Sequence, residues 1–110
     1  MTRVRIDTSG LGRDIYITGH CANENSGSAE ATLVCAAMTT LAQTIAQNVF
    51  DSEDTGDTDI IDVTLRSGQA VISYVTDDDG LNTAVDGICK GFDMLEENYP
   101  EYVSCYRSER

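Results

Sequence analysis

The sequence predicts an α+β two-layer sandwich in the order ββαββα(β), with two helices on one face of a mainly antiparallel sheet. Three observations carry this expectation. Four short segments alternate polar and apolar residues with period two, two long segments repeat apolar residues every three or four, and turn residues separate them. No repeat or Pro-rich linker interrupts the 110 residues, so 1–110 reads as one domain.

Thr2–Asp7 alternates as a half-buried strand should. Ser9-Gly10-Leu11-Gly12 is turn chemistry, and Asp14–Gly19 resumes the alternation, which predicts a hairpin. Residues 21–31 are small, polar and Gly-containing, and read as a loop. A helix is expected from Thr32 to Phe50, with Val34, Met38, Leu41, Ile45 and Val49 as its core stripe. An acidic connector, Asp51–Asp59, leads to strands Ile60–Arg66 and Gln69–Thr76, joined at Ser67-Gly68. Asp77-Asp78-Asp79-Gly80 suits the positive end of a second helix, Leu81 to Asn98, with Leu81, Val85, Ile88, Phe92 and Leu95 inward. Pro100 stops that helix, and Tyr102–Tyr106 adds a short final strand.

Charge narrows the function. Nineteen Asp and Glu against seven Lys and Arg give a net charge of −12. Such a surface repels phosphate, which argues against nucleic acid and anionic membranes as partners. It fits a basic protein partner, or serves solubility alone; both readings stand. The sequence displays neither a membrane-length apolar run nor a signal-peptide pattern, so a cytoplasmic protein with thiols rather than disulfides is expected.

The chain holds one histidine, His20, which excludes a multi-His metal cage. Cys21, Cys35, Cys89 and Cys105 lack zinc-ligand spacing, and Asp51–Asp62 echoes a calcium loop too faintly to read as more than a solvated acidic turn. No metal or cofactor is expected. Cys–His chemistry remains. With Thr32 as N-cap, Cys35 falls in the first helical turn, where free amides and the macrodipole favour a thiolate. His20 ends the second strand, and the loop joins it to that helix start, so the two face each other across a cleft. From these residues alone, a buried structural Cys and a structural His remain the alternative.

Gly19-His20-Cys21, a loop, and Thr32-Leu33-Val34-Cys35-Ala36-Ala37-Met38-Thr39 together resemble the Prp family of ribosomal-processing cysteine proteases. That family carries Gly-His-Ala, a loop, and Asp-Ile-Val-Cys-Ala-Ala-Val-Ser opening a helix. The ending Gly91-Phe-Asp-Met-Leu-Glu-Glu-Asn-Tyr99-Pro100 also resembles the family's last helix and its stop. The resemblance implies a Cys–His endopeptidase with Cys35 as nucleophile and His20 as general base. Helix-start amides would hold the oxyanion. It implies removal of an N-terminal extension from a basic large-subunit ribosomal protein, and a homodimer.

Several positions depart from the family. Thr32 replaces an Asp and cannot act as a carboxylate that orients the imidazole, though it can cap a helix. Thr39 replaces Ser and keeps a hydroxyl, Cys21 replaces Ala, and the loop is longer. A prophage-type copy processing another protein, such as a capsid component, fits these departures. Gly19, Thr32 and Thr39 would support the site. The 21–31 loop would close over the bound peptide, with Glu24 and Glu30 meeting basic side chains. From another class, a non-catalytic acidic binding module for a basic protein predicts function that survives loss of Cys35.

Overall fold

The computed structural model of the chain describes residues 1–19 and 29–109. Strands β1 (Thr2–Ser9) and β2 (Gly12–Thr18) form the first hairpin. Helix α1 (Ala29–Asp54) follows, then β3 (Thr58–Arg66), β4 (Gln69–Thr76), α2 (Asp79–Asn98) and β5 (Val103–Glu109). The sheet order is β3-β4-β2-β1-β5, antiparallel except for β5, which runs parallel to β1. Both helices pack on one face, α1 over β3 and β4, α2 over β5 and β4. The expected α+β two-layer architecture is therefore observed.

The core is made by the expected alternation. Val4, Ile6, Ile15, Ile17, Ile72 and Tyr74 point to the helices, and Val34, Met38, Ile45, Val49, Leu81, Val85 and Phe92 point back. Ala42, Ala46 and Cys89 join this core, while Leu41, Ile88 and Leu95 are only partly covered. Asp78 caps α2 by accepting from the Leu81 amide at 3.1 Å. Gly68 adopts φ +80° and closes the β3–β4 hairpin, a conformation that favours glycine.

Helix α1 departs from expectation at both ends. It starts at Ala29, not after an N-cap at Thr32, so Thr32 is its fourth residue and Cys35 its seventh. Ala29 and Ala31 are strong helix formers, and Glu30 suits the first turn, which outweighs the loop-like composition before them. At the other end it continues four residues past Phe50. Ser52 is buried there and bonded to Thr58 at 2.6 Å and to Asp78 at 3.2 Å, which holds the last turn against β3 and α2. Gly56, at φ +86°, ends the turn that follows.

Between Glu30 and Asp51, α1 carries no charged residue. The helix thus has the length and mean hydropathy of a membrane span. Its apolar stripe is nevertheless buried on the sheet, and Thr40, Gln43, Thr44 and Gln47 face outward, the pattern of a core helix. At the β1–β2 end, the nearly buried Arg13 clasps Asp86 through two 3.0 Å bonds and also donates to the Ser9 and Gly12 carbonyls, which fastens the turn to α2.

Candidate active site

A cleft of about 320 Å³ opens between α1 and the β3–β4 hairpin. One wall is a face of α1: Cys35, Met38, Thr39, Ala42 and Gln43, spaced three and four apart so that their side chains share a side. The other wall is the hairpin end, Leu65 to Ala70. Ile17, Gly19 and Thr2 complete the lining. Apolar Ile17, Met38, Ala42, Leu65 and Ala70 mix with polar groups at the rim.

Gly19 is held from two sides. Its amide donates to the Gly68 carbonyl at 3.0 Å, and its φ of +108° is one that side-chain-bearing residues rarely adopt. A Cβ there would collide with the Met1 carbonyl. The start of β1 cannot simply retreat, because the Thr2 amide is bonded to the Tyr102 carbonyl at 2.8 Å. Glycine is thus required where the chain leaves β2 beside the cleft.

Three residues singled out in the sequence, Gly19, Cys35 and Thr39, line this cleft together. Cys35 is partly exposed into it. Thr39 Oγ1 donates to the Cys35 carbonyl at 3.0 Å, so its hydroxyl bonds the helix backbone. Two others are not brought there: Thr32 lies in the first turn of α1, exposed, and Glu30 is exposed at the helix start. Glu30 therefore belongs to the helix and not to a loop. His20, Cys21 and Glu24, and residues 21–28 of the expected 21–31 lid, lie outside the described residues, while 29–31 of that stretch are helix.

The position of Cys35 changes one physical expectation. As the seventh residue of α1, its own amide lies beyond the four free amides of the helix start, and the macrodipole fades within the first turn. The first-turn position expected from sequence, which would set Cys35 among the free amides, is therefore not the one observed. Among the described residues, Thr2, Thr39, Gln43, Arg66, Gln69 and the Ser67-Gly68 turn share its cleft.

Cys35, Cys89 and Cys105 are thiols that form no disulfide. Burial pushes Cys89 up to about 12, and Glu96 and Asp93 add smaller upward pushes to the burial that raises Cys105 to about 11. Both stay protonated at neutral pH, whereas Cys35 opens onto the cleft.

Arg66 was not singled out in the sequence, yet it lines the cleft at the hairpin end. A signal for it existed: it is the only charged residue between Asp62 and Asp77.

Comparison with known proteins bears on the family and the fold. The family model described as cysteine protease Prp matches residues 1–104. Among curated proteins, no match is found. The fold is similar to that of SMU.848 from Streptococcus mutans, with a TM-score of 0.74, 20% identity, and 100% and 99% of the two chains covered. It is also similar to the essential ribosomal processing protease Prp from S. aureus in complex with a covalently linked product peptide. There the TM-score is 0.71 at 20% identity, covering 98% of this chain and 100% of that one. The same S. aureus protease with a substrate peptide gives 0.69 at 18%, with equal coverage. This chain belongs to the Prp cysteine protease family.

Proposed function

We propose that the chain is a cytoplasmic Cys–His endopeptidase, with Cys35 as nucleophile and His20 as general base, that removes an N-terminal extension from a basic large-subunit ribosomal protein. The observation that carries this reading is the cleft that Gly19 and Cys35 line together, His20 being the residue that follows Gly19 in the sequence. Family membership and the peptide complexes of the S. aureus protease support it.

In the reaction, the His20 imidazole takes the Cys35 thiol proton and the thiolate attacks the scissile carbonyl. The C=O π electrons move to oxygen, giving a tetrahedral oxyanion. Collapse of that intermediate breaks the C–N bond. The imidazolium returns its proton to the leaving amine, and a thioester remains on Cys35. Water, deprotonated by His20, then hydrolyses the thioester and restores the thiol. Because the helix macrodipole does little at Cys35, thiolate formation in this scheme depends on the imidazole.

The test uses the intact protein and the precursor of such a ribosomal protein, with the new N-terminus sequenced. Cys35→Ser and His20→Ala should each abolish cleavage with circular dichroism unchanged, and the double variant should be little worse than either. Full activity in His20→Ala would sink the dyad, since the chain has no other histidine. Function that survives Cys35→Ser would favour the binding module. A capsid-type substrate cut in place of the ribosomal precursor would favour the prophage-type role.

We also propose a homodimer. The groove between α1 and α2, lined by Leu41, Gly91, Met94 and Leu95, and the exposed Leu33 and Met94 support it. Light scattering at micromolar concentration should give twice the 11.9 kDa chain mass, and a monomer would refute it.

A further inference from the structure

The chain carries nineteen acids, yet among the described residues none lines the cleft, and its one charged lining residue is Arg66. The sequence explains how. The cleft is built mainly from two stretches, 31–50 of α1 and 63–76 of the β3–β4 hairpin; the first has no charge and the second only Arg66. Three other arginines are occupied. Arg5 pairs with Asp7, Arg13 with Asp86 and Arg107 with Asp93, while Arg66 has no ion-pair partner among the described residues.

Charges further away than about 8–10 Å are largely screened at physiological salt. Among the described residues, the charge in the lining is therefore that of Arg66, opposite in sign to the chain's net −12. A guanidinium presents a planar fork of donors that matches a carboxylate. Gln43 and Gln69 add amide donors in the same lining, and no carboxylate of the described lining competes for them.

We propose that Arg66 makes this cleft a site for a carboxylate, so that the substrate presents an Asp or Glu side chain close to the scissile bond. This rests on the endopeptidase reading and sharpens it. Basic residues of the substrate would bind away from the cleaved stretch, over the acidic surface outside the cleft.

Two measurements on the full chain decide it. Iodoacetate and iodoacetamide alkylate the same thiol and differ by one negative charge. The ratio of their rates at Cys35, read by peptide mass mapping, should fall up to about fivefold in Arg66→Gln, the range of a solvent-exposed ion pair. An unchanged ratio overturns the proposal. A peptide library from a digested proteome is then cut by wild type and by Arg66→Glu. Wild-type cleavage sites should be enriched in Asp or Glu at one position near the scissile bond, and Arg66→Glu should lose that enrichment in favour of Lys or Arg. Cleavage without acidic enrichment, or enrichment kept in the variant, overturns it. If no peptide is cut while the alkylation ratio falls, the peptidase reading fails and the carboxylate site stands.

Discussion

Replacing Gly19 with alanine tests how the cleft is held open. The backbone there has φ +108°, which costs a residue with a Cβ on the order of 1–3 kcal/mol. The added methyl also runs into the Met1 carbonyl and lies 3.3 Å from Met1 C and Thr2 Cα, all backbone atoms rather than flexible side chains. Relief requires breaking the Gly19–Gly68 bond on one side or the Thr2–Tyr102 bond on the other, each about 1 kcal/mol. The sum is about 2–4 kcal/mol, or roughly 10–20 °C in melting temperature for a chain of this size. Gly87, on the exposed face of α2, supplies the opposite case, because a methyl added there meets nothing within 4 Å. Gly87→Ala should stabilise by about 0.5–1 kcal/mol through helix propensity alone. Thermal melts by circular dichroism compare the two. A Gly19→Ala protein melting within about 3 °C of wild type, or a Gly87→Ala protein that is less stable, would refute the reasoning.

The other expectations concern thiols. In the native protein at about pH 7.5, iodoacetamide should label Cys35 ahead of Cys89 and Cys105, both about two to three orders of magnitude slower than an ordinary exposed thiol because so little thiolate forms; mass mapping after limiting reagent reads the order. Both thiols ionise at higher pH in the fold than in the unfolded chain, where the ordinary value is 9.0. Their stabilising contribution is therefore full below about pH 9 and lost as pH rises toward about 12. Urea midpoints measured from about pH 8 to 11 should fall in that direction, and a rise would contradict the assignment.

The parts of the fold that were legible in the sequence are those written locally. The four hairpin strands follow from alternation, and α2 from its stripe and Asp78. The start of α1 was not legible, because Ala29-Glu30-Ala31 follows a Ser- and Gly-rich run and weighs against it by propensity alone. That difference of three residues moved Cys35 out of the first turn, where the helix dipole is strongest. Buried polar residues were equally hidden. Arg13 finds Asp86 seventy-three positions away, and Ser52 finds Thr58 and Asp78 only once three elements converge. Of the candidate site, Gly19, Cys35 and Thr39 come together, while Thr32 and Glu30 stay at the helix start.

Arg66 shows a different kind of gap, since its signal was present but lay in what surrounds it. Composition averaged over the chain gives −12, and that average points to a basic partner. The same acids are absent from 31–50 and 63–76, and the fold brings residues of both stretches together in the cleft lining. In the proposed carboxylate site, long-range attraction and local selection act on different parts of one substrate. The acidic surface raises the encounter rate of a basic protein, an effect that salt weakens as the Debye length shrinks from ~10 Å at 0.1 M to ~3 Å at 1 M. A carboxylate held by Arg66 would sit at contact distance, well inside the Debye length at about 0.1 M. The two contributions are separable on that ground. Salt that slows capture of a basic substrate should leave the preference among short, uncharged-flank peptides nearly intact, because only the first depends on charges spread over the whole molecule.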